Sequence, residues 1–303
     1  MRVRASPEKG GKRRRMLKIC RKIIRNASIW IPVTALIISG IYLGYRYWDY
    51  RTAESGYEEI ADKYVQRNGH AAKAAEPSPT GIPNPGTDSD GTEPALPALE
   101  EGEESDEDLP DVPSVDWKSM KKEGKDIVAW LEIPSLEIRY PVVQGSDNDE
   151  YLHHMPSGEY KYAGSIFMDC QNSDSFSDIN TIIYGHNMDS GAMFGKFRNY
   201  GQEEYDSDPM IWICTPDKAM LYKIVSYHTA HVGDETYTLF SGYQPSERAD
   251  AWIRKEAAKS SIASPLPNEY IQRLVTLSTC ATRSDERRVL QAVLVREIRP
   301  VTR

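Results

Sequence analysis

The amino-acid sequence predicts a mostly-β domain, a closed barrel decorated with short helices, carried behind one N-terminal membrane-crossing helix. Three observations predict it. Short runs rich in β-branched and apolar residues, separated by turn signals and few helices, fill Ser114 to Arg303. A stretch of twenty uncharged residues, Asn26 to Tyr45, follows a crowded basic segment. Between these two regions Pro, Gly, Ser, Thr and acidic residues dominate, a composition that cannot bury enough apolar surface to offset chain entropy.

The 303 residues, of net charge −8, thus divide into four parts. Residues 1–25 are basic, with Glu8 as the single acid among many Arg and Lys. Residues 26–45 are long enough, at about 1.5 Å per residue, to cross a bilayer core of about 30 Å. Trp30, Tyr42, Tyr45, Tyr47 and Trp48 stand near its ends, as an interfacial belt requires. The basic flank stays inside, so a single-pass cell-membrane protein with its domain outside the cell is expected. A cleaved signal peptide has a shorter apolar core and a small-residue exit, and Tyr45-Arg46-Tyr47-Trp48 is a poor cleavage site. The apolar span directly behind the basic segment also argues against a nucleic-acid partner.

Residues 46–113 read as an extracellular stalk and disordered acidic, Pro-rich linker, with Ala53 to Gln66 able to form a helix just outside the membrane. Residues 114–303 are then expected to hold the fold and the activity by themselves.

Within that domain a short helix opens at Trp117. Strands are predicted at Ile127–Ile133, Leu136–Val143 (interrupted by Pro141), Gly164–Met168, Thr181–Tyr184, Met210–Thr215 and Met220–Val225, the last two flanking a Pro216-Asp217-Lys218 turn. Ser246–Ser260 reads as a capped helix with Ser246 as N-cap. Two strands close the chain, at Val275–Leu277 and Val289–Leu294, joined by the polar loop Ala281–Glu286.

Cys280 ends the first of these strands and Arg287 opens the second. If the strands pair with Cys280 opposite Arg287, a thiol stands beside a fixed cation, which favours thiolate. In the same register Ser278 faces Val289, and Arg288 points to the other side of the sheet. A buried packing cysteine is the bland alternative for a lone thiol. A nucleophilic thiol also needs a proton-handling partner. His186 ends the apolar run Thr181–Tyr184, with Gly185 before it permitting a sharp turn. His153 and His154 read as polar-loop residues, and His228 as a mid-strand residue. Three of the four cysteines, Cys170, Cys214 and Cys280, lie beyond the span. No CxxC, HExxH or Gly-rich phosphate loop is present, so zinc and nucleotide readings have no support.

Three motifs, in order, resemble those of the sortases, membrane-anchored cysteine transpeptidases of Gram-positive bacteria. Thr276-Leu277-Ser278-Thr279-Cys280 matches the TLxTC signature, Tyr184-Gly185-His186 the histidine motif, and Arg287 with Ala292 the arginine strand. Asp126–Leu131, Tyr140–Gln144, Asn148 with Tyr151-Leu152, Gly164–Asp169 and the helix before the cysteine strand are similar to class B.

The resemblance implies that Cys280, His186 and Arg287 are catalytic, and that Ser278 and Thr279 contact substrate. It implies cleavage of a C-terminal sorting motif after Thr, through a thioacyl-enzyme. The partners it implies are secreted proteins bearing that motif, an amine from a peptidoglycan cross-bridge or a pilin lysine, and the lipid bilayer. It calls for no cofactor and no metal. A cysteine endopeptidase releasing its product to water, and a non-catalytic anchored binding module, are the alternatives.

Overall fold

Eight of the apolar runs form strands that close on themselves. The computed structural model describes residues 8–67, 111–240, 246–280 and 285–298; the side chains of residues 8–15, 17–29, 67 and 280 lie outside that description. The barrel strands are β3 (Ile127–Ile133), β4 (Ile138–Val143), β5 (Ile166–Met168), β6 (Asn180–Gly185), β7 (Met210–Cys214), β8 (Ala219–His231), β9 (Leu274–Cys280) and β10 (Glu286–Ile298). Their order around the barrel is β10-β8-β7-β3-β4-β5-β6-β9. The β4/β5 and β6/β9 pairs are parallel, and the others are antiparallel. Closure leaves no unpaired edge, which removes the usual aggregation hazard of a sheet.

The main core cluster includes Ile127, Trp130, Leu131, Ile133, Ile166, Ile211, Ile213, Leu277 and Leu290, drawn from both faces of the barrel wall. Glu132 is buried there too, and its carboxylate accepts from Trp130 Nε1 (2.9 Å) with Arg139 Nε at 3.6 Å. A buried charge is tolerable only when so partnered.

Outside the barrel, α4 (Glu247–Ala257) starts where the sequence predicts, with Ser246 Oγ accepting from Ala249 N. Ala249, Ile253 and Ala257 share one face of α4 at four-residue spacing. They pack with Leu274, Val293, Val225 and Ile271 in a second cluster. The remaining helices of the domain, α2 (Trp117–Glu123) and α3 (Gln202–Ser207), are short.

The N-terminal region differs from the expected stalk. Helix α1 runs from Glu8 to Tyr64, and its last turns lie against the barrel. Ala53, Tyr57, Ile60, Ala61 and Tyr64 belong to the main core cluster, and Tyr57 Oη donates to Gly164 O (2.8 Å). After α1, β1 (Val65–Arg67) pairs with β2 (Pro113–Val115). The packed unit therefore begins well before residue 114. The physical reason is the apolar face of α1, whose spacing at 53, 57, 60, 61 and 64 is helical and finds a complementary barrel wall. Most of the predicted linker, residues 68–110, lies outside the described residues. Among the described residues no helix is long and apolar enough to cross a membrane. The predicted span from Asn26 to Tyr45 is helical, and the side chains of its first four residues lie outside the description.

Candidate active site

Pairing register builds the site at one end of β6, β9 and β10. Cys280 pairs with Arg287, Thr279 with Arg288 and Ser278 with Val289, as the alternation of the sequence predicts. On the other side of β9 the parallel register runs Tyr184↔Ser278 and Gly185↔Thr279. His186 and Cys280 each follow directly on that last pair. Three strands thus deliver a histidine, a cysteine and an arginine to neighbouring ends. The Cys280 backbone completes β9, while its side chain is among those not described.

Gly185 is required, though not for a turn. A Cβ there would sit 2.5 Å from Ile166 Cδ1 and 2.8 Å from Phe194 Cδ2. The glycine lets β6 pass close under Phe194, and its φ is not in the left-handed region.

A cavity of about 250 Å³ opens beside the strand ends, lined by Tyr184, Val232, Gly233, Tyr237, Ser278 and Arg287. Ser278 and Tyr237 meet across it, Oγ to Oη at 2.9 Å. Arg287 Nη1 donates to Glu286 O (3.0 Å). Arg288 lies against Tyr227 on the other face. The cavity's far wall is held from below: Tyr184 Oη donates to Asp169 Oδ2 (3.0 Å), which also accepts from Asn148 Nδ2 (2.9 Å). Thr279 does not line this cavity. It is buried on the same side of β9 as Val275 and Leu277, which face the barrel core. Its Oγ1 has no hydrogen-bond partner among the described residues.

His186 does not line the cavity either. Its ring turns to the loop between β4 and β5, where Nε2–H donates to Leu152 O (2.7 Å). That bond puts the proton on Nε2 and leaves Nδ1 as the basic nitrogen. The imidazole is half-buried and stacked on His153 (5.2 Å between centroids) and Tyr162 (5.8 Å). Burial lowers its pKa below the ordinary value; nearby His153 adds to this, and the Leu152 carbonyl opposes it. A mostly neutral imidazole at neutral pH follows.

Sequence reasoning missed His153, Tyr162 and Tyr237, and named Tyr184 only as part of the histidine motif. His153 and Tyr162 lie in a polar loop with no periodicity, and Tyr237 lies in a turn after β8. The nearest available signal was Tyr184 within the histidine motif. The other cysteines sit apart: Cys214 is a buried core thiol whose pKa burial pushes up to about 12, and Cys170 is half-buried and free. His228 is buried, with Nδ1 at 2.9 Å from Ser226 Oγ. Among the described residues no cluster of three or more His, Cys, Asp or Glu is placed to hold a metal.

Known proteins are similar to this chain in sequence and fold. A family model for the sortase domain matches residues 131–295. The curated sortase B of Listeria monocytogenes is 35% identical over 184 residues, covering 59% of this chain and 73% of that protein. The sortase B of Staphylococcus aureus is 32% identical over 165 residues, covering 54% and 66%. Among solved structures, a Staphylococcus aureus sortase B–substrate complex superposes with a TM-score of 0.54 at 27% identity, covering 59% of this chain and 84% of the other. The chain therefore belongs to the sortase family, and it is a cysteine transpeptidase of the kind that anchors surface proteins. Within that family the relatives are class B, and so is this chain.

Proposed function

We propose that Cys280, His186 and Arg287 carry the transpeptidation, acting on a C-terminal sorting motif of secreted proteins from a membrane anchor. The observation that carries this reading is the register of β9, which sets Cys280 opposite Arg287 and level with the residue that follows Gly185.

The Cys280 thiolate attacks the Thr carbonyl carbon of the motif, and the C=O electrons move to oxygen. Arg287 stabilises that oxyanion. The C–N bond breaks, and the leaving amine takes a proton from imidazolium His186, leaving a thioester on Cys280. An incoming amine attacks the same carbon and gives its proton to His186 Nδ1. The C–S bond then breaks, releasing the thiolate and a new amide. The acceptor is a peptidoglycan cross-bridge amine or a pilin lysine, and none of these steps calls for a cofactor. Ser278 is a proposed substrate contact, and its position on the cavity wall supports it; the burial of Thr279 toward the core argues against a side-chain contact from that residue. Solved relatives include a sortase B–substrate complex and a sortase B complexed with triglycine, which supports a peptide donor and an amine acceptor.

The anchor reading rests on the uncharged run from Asn26 to Tyr45 and its helical conformation. Ile31, Leu36, Ile37, Ile38, Ile41 and Leu43 are all exposed along that helix, a surface that suits lipid. In this orientation residues 1–25 are cytoplasmic, and protease added to intact cells should remove the catalytic domain. Protection of the domain would refute the orientation. For the chemistry, cleavage of a peptide library with candidate amines, read by mass spectrometry, should give amide products. Products of water addition alone would make the enzyme a peptidase.

A further inference from the structure

Helix α1 meets the barrel at the loop that covers the histidine. Arg46 is the first residue after the uncharged run. Its guanidinium carbon lies 4.0 Å from the centre of the Tyr162 ring and 5.1 Å from that of Tyr50. Tyr50 packs edge-on against Tyr162 at 5.7 Å. Three residues beyond Arg46, buried Asp49 accepts from the main-chain N of Tyr162 (3.2 Å) and pairs with Lys161 Nζ at 3.6 Å. Lys161 Nζ also donates to Thr52 Oγ1 (3.2 Å). Tyr162 in turn stacks on both His153 (5.4 Å) and His186 (5.8 Å). An unbroken series of contacts thus runs from the first turn after the uncharged run to the imidazole.

We infer that α1 forms part of the active-site wall, and that Tyr162, held by Arg46 and Asp49, is a positioning residue for the His186 ring. The inference rests on the reading of His186 as the acid–base group. Tyr162 is itself 36% exposed; within its own loop the His153 ring stacks on it and His153 Nδ1 lies 3.1 Å from its carbonyl. Helix α1 adds a cation over the ring and a carboxylate on its main-chain N, which further fix its plane and position. The stack does two things. It holds the imidazole with Nε2–H on Leu152 O, so Nδ1 keeps one direction. It also excludes water from the ring, which disfavours the charged form.

Among the described residues the groups facing His186 are few. His153, Tyr162 and the Leu152 carbonyl come from the β4–β5 loop. Arg46 and Asp49 reach it from α1 through Tyr162. Arg198 holds Asn187 and pairs with Asp189 in the segment that follows. Cys280 and Arg287 stand on the neighbouring strand ends. Removing the Tyr162 ring re-exposes the imidazole and should raise its pKa.

The experiment uses the full chain in lipid nanodiscs, with a sorting-motif peptide and an amine acceptor, over a range of pH. Tyr162→Ala should lower kcat about tenfold or more with KM little changed. The pH limb assigned to the histidine should move upward. Tyr162→Phe, which keeps the ring, should recover most of the rate and the original profile. Arg46→Ala should shift the profile in the same direction by less. If Tyr162→Ala does not fold, Arg46→Ala and Arg46→Gln carry the test. His186→Ala is the control that separates the two readings. If it is inactive while the Tyr162 and Arg46 variants keep the wild-type profile, the positioning role is wrong. If it keeps full activity, the histidine assignment itself fails.

Discussion

The strand-end edge of β6, β9 and β10 and the flank where α1 meets residues 153–162 are built by different rules. On the edge, each side chain's place follows from pairing. A one-residue slip would exchange Arg287 for Arg288 opposite Cys280 and turn Ser278 away from the cavity. On the flank, contacts join residues more than a hundred positions apart, such as Tyr57 with Gly164 and Asp49 with Tyr162. No periodicity relates them. The edge is specified by short-range geometry with a period of two, the flank by the matching of two surfaces. Damage should therefore be all-or-none on the edge and graded on the flank.

The sharpest test of that contrast is Cys280→Ala, which should abolish both cleavage and transfer, because alanine keeps the strand and removes the nucleophile. Cys170→Ala and Cys214→Ala should retain the chemical step, as measured by thioester formation in rapid-quench assays. Survival of activity in Cys280→Ala together with its loss in Cys214→Ala would sink the assignment of the edge.

Next in size is the arginine pair. Arg287→Ala should lower turnover by about 10²–10³, the usual consequence of losing one oxyanion donor. Arg288→Ala should have a much smaller effect, since its side chain lies against Tyr227 on the opposite face. Steady-state kinetics on the two variants decides it, and the reverse ranking would mean that the side chains do not follow the observed register.

The flank should respond through stability. Tyr57 is almost wholly buried and its hydroxyl is hydrogen-bonded. Tyr57→Ala should cost about 3–5 kcal/mol, in line with other buried aromatic truncations. In a domain of this size that lowers Tm by roughly 10 °C or more. A chain beginning at residue 111 should be destabilised as well, because Ala53, Ile60, Ala61 and Tyr64 are lost with it. Calorimetry showing the shortened domain as stable as the full chain would make the α1 contact dispensable.

The smallest expected effect concerns pH. His228 is buried, and burial followed by Lys259 lowers its pKa to about 4, with Glu256 opposing. The unfolded chain titrates this group near 6.5. As pH falls, the unfolded state therefore binds the proton first. Stability declines from about pH 6.5 down to about pH 4 and is flat for this group below that, for a total of up to about 3 kcal/mol. Urea unfolding of His228→Asn across that window should show a shallower slope than wild type.

These same regions show what was legible in advance. The Cys280–Arg287 pairing could be read because the intervening loop is short and the strands alternate cleanly. The start of α4 was readable from Ser246, whose hydroxyl caps it as that residue type does elsewhere. The true extent of β8 was not. The apolar run stops at Val225 and Ser226 looks like a strand end, although His228 reads as mid-strand; β8 continues to His231, and both residues are buried. Gly185 was readable as necessary, but the need is space beneath Phe194, which depends on a residue nine positions later. His153 looked like a loop histidine because nothing local announces that its ring will stack on His186. Thr279 shares a motif with Ser278, but the pleat sends the two to opposite sides of the sheet.

The pairing of β1 with β2 changes what the segment between them can do. Arg67 lies opposite Pro113, so the two ends of the intervening segment are held side by side. Under the proposed membrane anchor this segment is not a leash, because its length would not set how far the barrel travels from the bilayer. That reach would be set by the turns of α1 instead. Doubling the segment should cost only about 0.6 kcal/mol in closure entropy and leave the height of the active site unchanged. The natural place to insert a reporter or a second module is therefore this segment, while two residues added within Thr52–Tyr64 should turn the packed face of α1 by about 200° relative to the helix before it.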